Sequence, residues 1–212
     1  MDLASAYAVV EKTTDAVGKL AALKQQLKAK PDVAAGALAG CLAEVHRTYL
    51  AVMAEVTRLT VLAAPGAFGD GSKVDLTPLV ELEGNTVRTR VEQSRGHCTR
   101  IKNIFARDLD KWFERVFGKG QANHLILREV FDTLSEADAQ TFIIMQAIGD
   151  IIGSRAGAIL VEMMKPVPDV AAAGALARTA YLELKPMRLA LQALDAQLSG
   201  LENEFIESSG AV

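Results

Sequence analysis

The sequence has few of the residues that stabilise small secreted proteins or β-sheets. It contains two cysteines, Cys41 and Cys98, among 212 residues, and aromatic residues make up 5% of it. Two isolated cysteines do not make a disulfide framework, so we expect both to be reduced core residues in a reducing compartment. Because β-branched and aromatic clusters are scarce while Ala and Leu are abundant, the composition favours helices over strands.

Motifs for enzyme chemistry are also missing. The three histidines are His46, His97 and His124, and none follows a glutamate at the three-residue spacing that a di-iron bundle requires. Zinc-ligand spacing, a phosphate-binding glycine loop and a nucleophile elbow are likewise absent from the sequence. We therefore expect no cofactor and no enzymatic activity. The alternative is a ligand site between helices, for example a polar pocket around His124 and Asp150.

Segments that would direct the chain to a membrane are not evident either. No basic segment followed by an apolar run stands near Met1, so the sequence does not predict a signal peptide. The longest apolar stretch, residues 142–164, contains Asp150, Arg155 and Glu162. Three charges spread through this stretch argue against a constitutive transmembrane helix. We expect a cytoplasmic protein, either free or peripheral to a membrane.

The spacing of apolar residues predicts the fold class. In several long segments these residues alternate between steps of three and four, which is typical of amphipathic helices with coiled-coil-like seams. The two most regular seams are Leu38, Leu42, Val45, Tyr49, Val52, Val56 and Leu59, and Leu184, Met187, Leu191, Leu194, Leu198, Leu201 and Phe205. The prediction is an all-α, elongated antiparallel bundle of about five helices. We expect residues 1–212 to form a single domain, since no second-domain boundary is visible.

Turn and stop signals give the predicted limits of the first three helices. The first helix ends near residue 28, and the second runs from about 32 to about 63. A loop rich in Gly and Pro follows at about 64–78. The third helix then begins near residue 77, carries a stutter at Ile101, Phe105 and Leu109, and ends at Gly118.

The same signals divide the rest of the chain. A short helix is predicted at about 123–134, and a longer one follows with Ser135 in its N-cap and ends near residue 165. The last helix runs from about 169 to about 205. Pro186 lies inside it and is expected to kink or split it. We expect the tail, about 207–212, to be frayed.

Glycines recur every four residues on the helix that ends near residue 165. They are Gly149, Gly153 and Gly157, and Gly36 and Gly40 form a shorter strip on the second helix. Each Gly costs about 0.5–1 kcal/mol against Ala in a helix interior, so a close helix–helix approach is the expected compensation. We expect the strips to pack inside the chain, against each other. The alternatives are an oligomer or partner interface, and a helix that leaves the bundle and enters a bilayer.

Residues 88–119 form a basic stretch in which nine Lys and Arg residues outnumber four acidic ones. The residues predicted to face an anionic partner or membrane surface are Arg88, Arg95, Arg100, Lys102, Arg107, Lys111, Trp112 and Arg115. In the alternative, the aromatic residues are core and the arginines pair with the acidic residues near the chain end, Asp195, Glu202, Glu204 and Glu207. A nucleic-acid partner is disfavoured, because the chain has a net charge of −3 and its arginines do not form one stripe.

No motif identifies a family, and a helical bundle does not by itself define a function. The sequence predicts a non-enzymatic helical-bundle protein that acts through protein–protein contact, with self-association or a protein partner. The alternative is a membrane-active helical effector, such as a toxin or cell-death-type domain, that inserts into or disrupts membranes after a trigger.

Overall fold

A computed structural model describes residues 3–30, 34–62, 64, 66 and 99–208. Every regular element among these residues is helical, which confirms the predicted all-α bundle. The helices are α1 (Leu3–Lys28), α2 (Ala34–Leu62), α3 (Thr99–Ile104), α4 (Asp110–Phe117), α5 (Ala122–Ser135), α6 (Ala137–Met163) and α7 (Val170–Ser208). A π-helical segment, Phe105–Leu109, joins α3 to α4. The predicted loop and the predicted start of the third helix fall on residues outside the described ranges, apart from Ala64 and Gly66.

Helices α2 and α7 form the centre of the bundle. Both predicted seams are buried along their whole length, from Leu38 to Leu59 on α2 and from Leu184 to Phe205 on α7. Each fully buried leucine side chain stabilises the fold by about 1.5–3 kcal/mol. The helices run antiparallel, because His46 in the first half of α2 contacts the second half of α7, whereas Leu59 near the end of α2 lines a small cavity with Leu184.

Helix α1 runs antiparallel to the rod that α5 and α6 form together. Lys19 of α1 lies 3.3 Å from Glu129 of α5. Closer to the start of α1, the Thr13 hydroxyl donates to Gln140 of α6 at 3.4 Å and shares a 2.6 Å hydrogen bond with Tyr49 of α2. These polar groups are buried and bonded to one another, so they tie three helices together at one level of the core.

The junction between α5 and α6 differs from the predicted helix cap. Ser135 is the last residue of α5, and its hydroxyl donates to the carbonyl oxygen of Asp132 at 2.8 Å. The N-cap residue of α6 is Glu136, which has helical backbone angles and makes no side-chain cap hydrogen bond. The prediction of Ser135 as an N-cap is therefore wrong, because a carbonyl in its own helix engages the hydroxyl instead.

Helix α7 continues without interruption through Pro186. The proline is exposed, between the buried Leu184 and Met187. The predicted split is therefore wrong, and the predicted kink stays a prediction. Proline removes one backbone N–H, and on the outer side of a helix the carbonyl that loses its partner can bond to water. The helix also runs to Ser208, into the tail that was expected to be frayed, and residues 209–212 lie outside the described ranges.

The predicted stutter in the third helix coincides with the π-helical segment. The N–H of Asp110 donates to the carbonyl of Phe105, five residues earlier. A π-helical turn is wider than an α-helical turn, so residues spaced by four stay closer to one face of the helix. Ile101 and Leu109, the two ends of the stutter, are both fully buried. The predicted stop at Gly118 is confirmed, and the positive φ of 86° at this residue favours glycine.

Candidate functional site

The glycines of α6 lie on its outer side. Gly153 and Gly157 are exposed, and Gly149 is half-buried. A Cβ atom placed at any of the three would meet nothing within 4 Å in the described structure. The expectation that this strip packs tightly inside the chain is therefore wrong for the described residues, where no neighbouring element uses the space that the missing side chains leave.

The shorter strip on α2 lies toward the other end of the bundle. Gly36 and Gly40 are exposed, and a Cβ at Gly40 would also meet nothing within 4 Å. Helix α6 approaches α2 near Leu59, which lines a cavity with Ile152. Leu59 is about 28 Å along the helix from Gly40. The predicted contact between the two strips is therefore wrong.

The outer face of α6 carries very little charge. Its exposed residues between 139 and 161 are Ala139, Gln146, Asp150, Gly153, Ser154, Gly157, Leu160 and Val161. Asp150 is the one charged member of this set. Apolar surface continues past the end of the helix, where Met164 and Val167 are 75% and 80% exposed. An exposed helix face with so little charge is a candidate contact surface. We call these residues, from Ala139 to Val161, the α6 outer face.

Helix α6 also has the length and composition of a membrane span over Ala139–Met163, and it is the one such helix within the described ranges. Only 33% of its most apolar stretch is buried. Core helices of soluble proteins share these properties, and Ile144, Ala147 and Ile148 are fully buried in the bundle. Arg155 is half-buried, and its guanidinium donates to Glu183 of α7 at 2.6 Å.

The predicted basic surface is divided by the structure. Arg88 and Arg95 lie outside the described residues. Arg100 and Lys102 are exposed on α3, and the Arg100 guanidinium lies 3.8 Å from the carboxylate of Glu44 on α2. The other basic residues of this prediction are Arg107 on the π-helical segment and Lys111 and Arg115 on α4. They form a separate group.

Trp112 belongs to the core and not to the predicted surface. Its side chain is 2% exposed, and its indole N–H donates to the carbonyl oxygen of Lys30 at 3.4 Å. Its ring centroid is 5.3 Å from that of Phe113, which in turn packs on Phe131 of α5. The assignment of Trp112 to an anionic-partner surface is therefore wrong, because this aromatic cluster holds α4 on the bundle.

Arg107, Lys111 and Arg115 line one wall of an open cleft of about 810 Å³. Their four-residue spacing brings the three side chains to one side of the π-helical segment and α4. The opposite wall contains Ala34 and Ala37, in the first turn of α2. That turn contains no acidic residue. We call this space the basic cleft.

One alternative in the sequence analysis paired the arginines of residues 88–119 with the acidic residues near the end of α7. The structure gives three of these acids other partners. Glu204 accepts a hydrogen bond from Lys24 at 2.7 Å, and its second carboxylate oxygen lies 3.7 Å from the Lys28 ammonium. Asp195 and Glu202 contact His46 of α2. The prediction is wrong for these three acids, because α7 packs directly on α1 and α2 and brings their cations closest.

His46 bridges α2 and α7 through both ring nitrogens. Its Nε2 is 2.8 Å from Asp195 and its Nδ1 is 2.9 Å from Glu202. Burial lowers the pKa of His46, but the hydrogen bonds with Glu202 and Asp195 outweigh it, so the pKa is raised above its ordinary value. Both nitrogens act as donors only in the protonated ring. Sequence patterns could not find this clamp, because His46 and Asp195 are 149 positions apart.

His124 has a structural role at the turn between α4 and α5. It is 4% exposed, its Nδ1 accepts from the Gly120 N–H at 3.1 Å, and its Nε2 is 3.2 Å from Asp110. Asp150 lies about 39 Å further along the α5–α6 rod, so the pocket considered around His124 and Asp150 is not assembled. Cys41 is a buried core residue, as predicted, and Cys98 lies outside the described ranges.

Comparisons with known proteins give no relative: no protein family matches the chain, and no curated protein or solved structure matches it. Within the described part of the chain, no group of three or more His, Cys, Asp or Glu side chains is placed to hold a metal ion. Two surfaces of the described bundle are candidates for function, the α6 outer face and the basic cleft.

The raised pKa of His46 predicts a pH-dependent contribution to stability. His46→Gln should lower the free energy of unfolding by about 1 kcal/mol at about pH 5.5, where the ring is protonated in both states. The loss should shrink as pH rises through the raised pKa, since the neutral wild-type ring can donate to only one carboxylate. Urea unfolding followed by circular dichroism at about pH 5.5 and about pH 9 measures both differences.

The control for this prediction is Arg47→Gln, on the neighbouring residue, whose side chain is 64% exposed. That change should have a small effect at either pH. A His46→Gln effect of the same size at both pH values would contradict the charged clamp.

Proposed function

We propose that this protein is a non-enzymatic helical-bundle protein that acts by self-association through the α6 outer face. The observation that carries the proposal is the placement of the glycine strip. Gly149, Gly153 and Gly157 lie on the outer side of a long helix, and open space stands where each side chain would be. The face that surrounds them has one charged residue among its exposed members.

Glycine at these three positions costs helix stability. A glycine in a helix interior is less favourable than alanine by about 1 kcal/mol, so three together cost about 3 kcal/mol. The described bundle gains no close contact in return. A second helix that crosses the strip can approach to the short end of the usual range of about 8–10 Å between helix axes, with extensive backbone contact. A contact of this kind compensates for the low helix propensity of the strip.

The spacing of the strip favours a second copy of the same chain as the occupant. Gly153 is the midpoint between Gly149 and Gly157, so an antiparallel pair with two-fold symmetry sets Gly149 of one copy against Gly157 of the other. Asp150 of the two copies would then be offset by about 9 Å along the helix axes. This offset is close to the Debye length in physiological salt, so the like charges repel weakly. A contact limited to one helix face is small, which favours reversible association.

Gly153→Leu should abolish this association. The leucine side chain would hold the two helices apart at the centre of the contact, while the open space around Gly153 leaves the fold of the single chain intact. Sedimentation velocity over a concentration series measures the result. The wild type should shift toward twice the chain mass of 22.6 kDa as its concentration rises, and the variant should stay at 22.6 kDa.

The matched control is Gly18→Leu on α1. Gly18 is also exposed, lies inside a long helix and has open space around its Cβ position. This variant should associate as the wild type does. The proposal fails if the wild type has the single-chain mass at every concentration, or if Gly153→Leu associates as strongly as Gly18→Leu.

A second candidate function is a membrane-active effector, and the observation in its favour is the composition of α6. The helix is long and apolar enough to cross a bilayer. Insertion would first have to remove Ile144 and Ile148 from the core and separate Arg155 from Glu183. An unpaired arginine inside a membrane is costly. Under this alternative the protein would therefore stay a closed bundle until a trigger opens it.

Leakage of dye from lipid vesicles separates the two functions. Neutral and anionic vesicles are mixed with the protein at low and high salt, and flotation and dye release are recorded together. The self-association proposal predicts no leakage in any of the four conditions. Leakage by the wild type, abolished in a variant with Arg100, Arg107 and Arg115 all changed to Glu, would favour the membrane-active effector instead.

A further inference from the structure

The outward side of α6 has the same residue spacing as the two buried seams. Its members are separated by alternating steps of four and three residues, and they are Ala139, Ile143, Gln146, Asp150, Gly153, Gly157, Leu160 and Met164. Ile143 is half-buried and the others are exposed. This spacing lets two helices stay in contact over several turns, as in a coiled coil. We call these residues the α6 seam.

Large apolar side chains stand exposed at one end of this seam. Leu160 is 43% exposed, Met164 is 75% exposed, and Val167, in the turn that follows, is 80% exposed. The N–H of Met164 donates to the carbonyl of Leu160 at 2.9 Å, so the helical turn extends to Met164. The N–H of Asp169 then donates to the carbonyl of Glu162 at 3.1 Å and folds the chain back. The backbone that carries these side chains is therefore formed before a partner binds, which lowers the entropic cost of binding.

We propose that Leu160, Met164 and Val167 of one copy pack on the first turns of α6 in a second copy. This inference rests on the proposed self-association and adds the orientation, register and extent of the contact. The three glycines cover about 12 Å of helix, whereas the seam from Ala139 to Met164 covers about 37 Å. A stable interface buries about 800 Å² on each partner, so the longer contact comes closer to what an associating pair needs.

A two-fold axis at Gly153 determines which residues meet. In an antiparallel pair, residues at equal distances before and after the axis face each other. Leu160 follows Gly153 by seven residues and Gln146 precedes it by seven, so Leu160 of one copy faces Gln146 of the other. Val167 and Ala139 are each fourteen residues from Gly153 and face each other in the same way.

The antiparallel orientation sets large side chains against small ones. In a parallel pair, Leu160 and Met164 would meet their own counterparts and hold the helices apart at one end, while the glycines require a close approach at the centre. In the antiparallel pair the large side chains are shared between the two ends. The helix axes then stay at a similar distance along the whole seam.

Charged substitutions across the proposed contact test its register. Leu160→Glu should raise the dissociation constant of the pair by at least about tenfold, because it buries an unpaired carboxylate at both ends of the contact. Adding Gln146→Lys to the same chain should return the dissociation constant to within about threefold of the wild type, because the new carboxylate and the new ammonium then face each other between copies. Within one chain the two positions are about 21 Å apart along α6, so they do not pair with each other. Sedimentation velocity at low salt measures the three dissociation constants.

The matched control is Leu125→Glu on α5. Leu125 is 52% exposed, lies outside the α6 seam, and its substitution changes the net charge by the same amount as Leu160→Glu. This variant should associate as the wild type does. Circular dichroism checks that each variant is folded.

The outcomes separate this inference from self-association itself. If the wild type associates and Leu160→Glu associates as strongly as Leu125→Glu, the inference is overturned while self-association through the glycines stands. A double variant that associates more weakly than Leu160→Glu indicates a parallel pair, in which like charges meet, and overturns the antiparallel register. A wild type that keeps the single-chain mass at every concentration overturns both proposals.

Discussion

The apolar contact between α2 and α7 is the interaction on which the rest of the structure depends. The two seams are buried from end to end, and their antiparallel register sets the level of every other helix. With Leu59 beside Leu184, the register brings His46 between Asp195 and Glu202. The His46 clamp and the buried contact of Thr13 with Tyr49 are polar interactions on an apolar frame. They fix the register of the helices more than they stabilise the fold. Most of the free energy of folding comes from the apolar area buried along the seams.

The same frame explains why the α6 outer face is open. The first half of α6 packs on α1 and α2, where Thr13 reaches Gln140. Further along, α6 meets α7 in a separate small cluster of Ile159, Met163, Ala173 and Ala177. There the two helices bury only the sides that face each other. The outer side of α6 has no neighbour across Gly153 and Gly157 in the described structure, so self-association uses a surface that the bundle itself does not cover.

The spacing of apolar residues predicted well where the helices lie. It predicted less well which residues of each helix face the core and which face outward. Steps of three and four residues identified the seams of α2 and α7, because only one side of each helix is apolar. Helix α6 has apolar residues on all sides, so its sequence did not indicate that Gly153 faces outward. Trp112 was misassigned for a related reason: basic neighbours on the same helix suggested a surface, but its indole N–H bonds to the carbonyl of Lys30, 82 positions away in sequence. The His46 clamp depends on contacts between α2 and α7 that no local pattern encodes.

The basic cleft was predicted only as part of a longer basic stretch. The sequence analysis placed Arg107, Lys111 and Arg115 in one predicted surface with five other residues and did not single out these three. It did not indicate that the start of α2 forms the opposite wall, or that the stutter at Phe105 is a π-helical segment. Both facts follow from tertiary packing. The structure thus reduces a diffuse basic stretch to one concave surface, separate from the α6 outer face.

Self-crosslinking at position 153 is a direct test of self-association through the α6 outer face. In a variant with Cys41→Ala and Cys98→Ser, the additional change Gly153→Cys places a single thiol at the two-fold axis of the proposed pair. A disulfide requires Cα atoms about 4.4–6.8 Å apart, which helices crossing at a glycine strip can reach. Self-association through the α6 outer face predicts rapid formation of a covalent dimer under mild oxidation, while Gly18→Cys in the same background stays mostly monomeric. Equal, slow crosslinking of the two variants would contradict it.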